Sequence, residues 1–186
     1  MAWVYNRFMV QRLAVPLLFL VITTLFCSCS KEVLDAAYEN LDRRADMVLC
    51  DSSYLMGDDT MSPIRLSGSL LSFYRSDSRV EIEGATFEQD DVNGSLETSG
   101  SCNLAIVDTV SRNVTLKGDV EILRPADSLE IRTQTAIWNN DEHHVSCPGE
   151  VAVRFEGNEI KGSGFEGDFD KGKFTLASVE QGRVDL

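Results

Sequence analysis

Histidine is almost missing: the 186 residues contain two, His143 and His144, side by side in the polar stretch "NNDEHHV". A nucleophilic triad needs an imidazole base oriented by a third group, so serine, though abundant, has little to work with. Neighbours on a strand point to opposite faces, which also separates the two rings as joint metal ligands. No two cysteines show zinc-knuckle spacing, and the acids near turns (Asp90, Asp91, Glu166, Asp168 and Asp170) lack EF-hand spacing. A phosphate loop, a nucleophile elbow and a zinc-protease helix motif are likewise missing. The expectation is a non-enzyme with no catalytic residues, no cofactor and no metal. Basic residues are also few, 17 against 30 acids, and a net charge of -13 excludes a nucleic-acid backbone as partner.

Only one long apolar run exists, "LAVPLLFLVITTLF" from Leu13 to Phe26, and it follows Arg7 and Arg12 in a stretch without acids. This is a targeting segment. Its 14 residues would make a helix about 21 Å long, short of the roughly 30 Å core of a bilayer. Cleavage is therefore expected. The run ends in "LFCSCS", which resembles a loose bacterial lipobox and makes Cys29 the expected lipidated residue. The alternative is an uncleaved anchor from Leu13 to Cys29, with Arg12 at the interface. Either way the rest of the chain faces an extracytoplasmic space, tied to the membrane by its N-terminus. The expected organisation is a signal or anchor over 1–28, a lipidated N-terminus with a short amphipathic helix over 29–46, and a β domain over 47–186. The helix rests on Val33, Leu34, Ala37, Tyr38 and Leu41 recurring at helical spacing.

Beyond Met47 the apolar period becomes two. Val114, Leu116, Val120 and Ile122 alternate with polar residues, as do Leu129 and Ile131; Val151, Val153 and Phe155; Phe174 and Leu176; Ile64, Leu66 and Leu70; Val80 and Ile82; and Cys102, Leu104 and Ile106. Turn signals such as Asn93-Gly94, Pro148-Gly149 and Gly157-Asn158 separate at least nine such strands. Strands without intervening helices predict a single antiparallel all-β sandwich, barrel or jelly roll. Its interior would hold Cys102 and Cys147, either as a disulfide or as buried free thiols. One unit is written twice: "EIEGATFEQD" at 81–90 and "EIKGSGFEGD" at 159–168. We read these as matching strand-to-turn units, with Ile and Phe inward and Gly162 and Gly164 permitting a bend or bulge.

Together with an N-terminal anchor, the ordered set Leu116-Gly118-Val120-Ile122, Leu129-Ile131-Thr133, Val151-Val153-Phe155 and Ile160-Gly162-Gly164-Phe165-Asp168 resembles LptC, the membrane-anchored periplasmic component of lipopolysaccharide export, and its OstA/LptA-like relatives. The resemblance spans about residues 47 to 180. It departs from the usual family in the N-terminus, which looks like a cleaved lipoprotein signal rather than a retained helix. It implies a twisted, open jelly roll that receives lipopolysaccharide or another glycolipid from an inner-membrane ABC transporter and passes it to an LptA-like bridge protein. The partners would join by edge-strand addition. The residues implied to line the acyl path are Leu116, Val120, Ile122, Ile131, Val153, Phe155, Ile160, Phe165 and Phe174. A different class, a surface-exposed structural or adhesive β-sandwich lipoprotein, would use the same residues simply as a packed core.

Overall fold

In the computed structural model the described residues are 45–57, 62–91, 93–169 and 171–183. The expected signal, Cys29 and the amphipathic helix lie outside them. Residues 45–186 form one compact unit. Nine antiparallel strands, β1 (Met47–Met56), β2 (Ile64–Tyr74), β3 (Arg79–Asp90), β4 (Leu96–Asp108), β5 (Val114–Arg124), β6 (Leu129–Asn139), β7 (His144–Phe155), β8 (Asn158–Asp168) and β9 (Lys173–Arg183), follow one another in a single sheet in chain order. A 3-10 turn at Pro125–Asp127 joins β5 to β6, where Pro125 opens the turn and Ser128 ends it in a left-handed conformation. Among the described residues no helix is long and apolar enough to cross a membrane.

The alternation that predicts these strands does not run straight through them. In β2 the buried residues are Leu66 and then Leu71, in β3 Ile82 and then Ala85, in β4 Cys102 and then Ala105, and in β6 Thr133 and then Ala136. The interval is five in β2 and three in the other strands, odd in every case, so the inward phase changes in mid-strand. Leu70, Leu104 and Ile106, expected on the buried phase, are therefore only half-buried, while Leu71, Ala105 and Val107 are sealed in the core.

The reversals line up across the sheet. They fall beside Gly84 (φ +58°) in β3, at a bulge over Gly118 and Asp119 (φ +73° and +47°) in β5, in the Pro148-Gly149 region of β7 and at Gly164 (φ +66°) in β8. Left-handed backbone is open to glycine at little cost and to aspartate more readily than to most residues. Asp119 is further held by bonds that its carboxylate accepts from Asn103 Nδ2 at 3.1 Å and Gln134 Nε2 at 3.3 Å, tying β4, β5 and β6 together at the bend.

Folding along this seam lays one half of each strand over the other half. Tyr54 near the end of β1 meets Phe73 near the end of β2 at 6.3 Å between ring centroids, and Phe155 at the end of β7 meets Phe174 at the start of β9 at 6.1 Å. Neither pair is a register partnership. These contacts cross from one layer to the other, and the core lies between the layers. Leu71, Ile82, Ala105, Val107, Ile131 and Cys147 are fully buried there.

The two copies of the repeated unit occupy β3 and β8, with Ile82, Phe87 and Phe165 buried and Ile160 on the same side as its register partner Val153. Their bends are out of step: the first copy turns at Gly84 and the second at Gly164, two positions further along. Gly162 serves a different need. A Cβ there would lie 2.0 Å from the Ser178 carbonyl oxygen of β9, so a side chain would push the last strand away.

Candidate functional site

The space between the layers is the one part of the described protein where apolar surface converges. Of the residues expected to line it, Leu116, Val120, Ile122, Ile131, Val153 and Phe165 belong to the buried core, and Phe155 and Phe174 pack against it in part. Ile160 is half-buried and stands outside the main cluster. Leu116 and Ile122 also border an apolar pocket of about 60 Å³ between the layers, with Ile64, Leu66 and Phe87 on one side and Val114, Val145, Trp138 and Phe169 on the other. That is room for only a few waters. The interior is thus filled, and a chain of methylenes enters only if the layers part.

The rim away from the seam shows what holds them together. Arg124, at the end of β5, places its guanidinium 5.3 Å from the ring centre of Phe169 and 5.6 Å from that of Phe174. Its Nη1 donates to the Phe169 carbonyl at 3.1 Å, and its Nε and Nη2 reach the two carboxylate oxygens of Asp127 at 3.2 and 2.8 Å. Both side chains are mostly covered, at 15% and 20% exposure. A planar guanidinium can stack on rings and hold a carboxylate in two bonds at once, which a lysine cannot. Phe169 continues the row to Trp138 at 5.9 Å, and Trp138 stacks on His143.

Arg124, Trp138 and Phe169 have no place in an alternating-pattern search. Arg124 ends a strand before Pro125, and Phe169 follows one, so only the folded sheet brings them together.

Cys102 and Cys147 are both buried free thiols, one of the two arrangements that the strand pattern left open. Cys102 lies next to Ala85 in the β3–β4 register and Cys147 next to Phe165 in the β7–β8 register, each packed among apolar neighbours. Burial raises both thiols, Cys147 to about 12, with the Glu166 charge adding to the effect. Glu166 in turn bonds His144 across the β7–β8 pair, while His143 sits in the turn before β7 at φ +49°. The two histidines thus face different surroundings.

The turn acids are occupied locally. Asp91 accepts from the backbone N–H groups of Asn93 and Ser95, Asp108 from those of Val110 and Ser111, and Asp168 from the Lys171 backbone and ammonium, and these bonds hold all three carboxyls below the usual range. No group of three or more potential ligands that could hold a metal occurs among the described residues.

The outer face of one layer carries a cross-strand charge ladder in which Arg132 bridges Glu121 and Glu130, and Arg154 bridges Glu130 and Glu159. Exposed pairs of this kind contribute little stability and keep the surface hydrated. At the sheet's two ends, β1 and β9 each pair on one side only. β1 exposes Met47, Leu49 and Leu55, and β9 exposes Val179.

Comparison with known proteins agrees with this architecture. No curated protein matches the chain. Among solved structures, the chain is similar to LptH from Pseudomonas aeruginosa, described as the LptA-homologous periplasmic component of the conserved lipopolysaccharide transport device. The TM-score is 0.56 at 14% identity, over 67% of this chain and 96% of that one, a likeness of fold. A family model described as lipopolysaccharide-assembly, LptC-related, matches residues 17–185, nearly the whole length. A rolled, nine-stranded antiparallel sheet with an apolar interior and two unpaired edges is therefore what this sequence builds as a member of the LptC-related family of lipopolysaccharide-assembly proteins.

Proposed function

We propose that the protein is a periplasmic, inner-membrane-tethered component of a lipopolysaccharide export bridge. It receives the lipid from an ABC transporter in the inner membrane and hands it to an LptA-like bridge protein. The observation that carries the reading is the combination of family membership with a sheet folded around an apolar space whose layers are fastened at one rim. The acyl chains would enter between the layers as that rim parts. Each methylene withdrawn from water there is favourable by about 0.8 kcal/mol, enough over a chain of ten or more to offset the loss of several rim contacts. β1 and β9 would each accept a neighbour's strand, since an unpaired edge offers a row of free N–H and C=O groups. No catalytic step is required of this subunit.

Incorporating a photo-crosslinking residue at Phe155 in cells, with a matched one at the exposed Lys161, tests the reading. Lipopolysaccharide adducts at 155 that depend on transporter turnover, with none at 161, are expected. Absence of adducts at Phe155 and every other inward position would overturn it.

A second reading draws on the filled interior: a structural or adhesive lipoprotein with a permanent core. Protease applied to intact cells separates them, because a bridge component beneath the outer membrane is protected and a surface protein is cut.

A further inference from the structure

The pocket between the layers is apolar except at three points. Gln89 and Thr98, register partners on β3 and β4, face it from one layer, and Trp138 lines it from the other. Gln89 is anchored by donation from Nε2 to the Ser62 carbonyl at 3.0 Å. Trp138 differs. Its indole Nε1 is shut off from solvent and has no acceptor among the described residues. A buried donor left unmade costs about 1–3 kcal/mol, and folded proteins seldom keep one without a reason. Exposure would have relieved it cheaply. Instead the ring is held from two sides, stacked within 5° of parallel on His143 and packed against Phe169, the residue that Arg124 fastens to the opposite layer. The donor is therefore fixed in orientation before anything arrives.

We propose that Trp138 is a ligand-reading residue whose Nε1–H donates to the carbonyl oxygen at the head of an acyl chain lodged in the inter-layer pocket, with Gln89 and Thr98 as polar neighbours on the facing layer. The lining fits such an amphiphile. Leu66, Phe87, Leu116 and Ile122 suit the methylenes, whereas a plain hydrocarbon would leave the indole N–H as unsatisfied as it is now. A carbonyl at the chain end meets that demand and fixes how far the chain slides in. The site thus distinguishes an acyl group from an alkyl chain. This inference rests on the lipid-carrying role proposed above and adds a selectivity that the role alone does not require.

The test uses the full chain in alkyl maltoside micelles, whose chains carry no carbonyl. The sequence has two tryptophans, Trp3 and Trp138, so a sample labelled with nitrogen-15 at the indole gives two N–H resonances, and the W138F variant assigns one. Purified lipopolysaccharide, methyl laurate and dodecane are added in turn. The Trp138 indole proton should move downfield with the two carbonyl-bearing probes and stay nearly in place with dodecane. W138F, which keeps an aromatic ring in the row but removes the N–H, should bind methyl laurate about threefold to tenfold more weakly relative to dodecane, the size of one neutral hydrogen bond.

If the probes bind, as registered by methyl resonances of the core, while the indole signal stays put or W138F binds equally, the donor role is wrong and lipid carriage stands. Should no probe bind at all, both readings fall. If W138F does not fold, the indole shift alone decides.

Discussion

Replacing Arg124 by alanine removes a residue that links both layers at the rim by a hydrogen bond and ring contacts at once. The structure gives the terms. One carboxylate pair with two contacts, at 15% and 20% exposure, one bond to a backbone carbonyl and two ring contacts are lost together. Charge-assisted bonds contribute about 1.5–3 kcal/mol and a partly exposed cation–ring contact about 0.5–1. These are alternatives for one side chain and do not simply add, so R124A should destabilise by about 2 kcal/mol. For a β domain of this size that corresponds to a fall in Tm of roughly 6–10 °C, read by circular dichroism. R124K, which keeps the charge but not the planar fork, should recover less than half of the loss. A functional readout accompanies the thermal one: stopped-flow uptake of a fluorescent acyl probe should become faster in R124A, because the rim parts more often. A Tm within a degree of wild type together with unchanged uptake would refute the idea that this residue fastens the layers.

The other expectations test core, bend and protonation. I131A should cost about 2–5 kcal/mol in urea unfolding, because Ile131 is fully buried and its neighbours cannot close the space. G164A should destabilise by at least about 1 kcal/mol, since φ is +66° and the new Cβ would sit 2.8 Å from that of Ala177, whereas G149A, with nothing within 4 Å and no left-handed backbone, should be near neutral. With Cys27 and Cys29 replaced, an Ellman-type thiol titration of the folded protein at pH 8 should label Cys50 rapidly and leave Cys102 and Cys147 unreacted until unfolding. Folding holds Cys147 protonated up to about 12, so its contribution to stability is complete below the ordinary thiol pKa and is lost as pH rises from there toward 12. The lowered carboxyls of Asp91, Asp108 and Asp168 act in the opposite sense: their contribution is present above pH about 4 and disappears as pH falls through their folded values, so D108N should flatten the acid limb of a stability–pH curve.

The strands were legible in the sequence because half-buried sheets print their geometry as a period of two, and the nine-strand antiparallel class follows from that pattern and the turn residues between. The bend was only half legible. "EIEGATFEQD" and "EIKGSGFEGD" mark where strands turn, yet the phase reversal needs three-dimensional information: in "SCNLAIVD" the residues Leu104 and Ile106 are as apolar as Ala105 and Val107, and only a left-handed or bulged backbone in the neighbouring strands decides which pair is buried. The interior candidates were found because burial is a property of the strand pattern. The rim was not, because Arg124, Trp138 and Phe169 act through contacts between layers, and Arg124 and Phe169 lie 45 residues apart in the chain. Cys102 and Cys147 illustrate the limit of pattern in another way, since sharing an inward phase places two thiols in one core without deciding whether they pair.

The proposed role requires that the packed layers part at the Arg124 rim to admit an acyl chain. Spin labels at Leu123, at the end of β5, and Lys173, at the start of β9, both exposed, report the gap across that rim by double electron–electron resonance, with Cys27, Cys29 and Cys50 replaced and the buried thiols unreactive. Packed sheets sit about 10 Å apart, and a single hydrocarbon chain between them should add several ångströms to the distance when lipopolysaccharide is bound. A distribution that stays unchanged while binding is saturated would contradict the account.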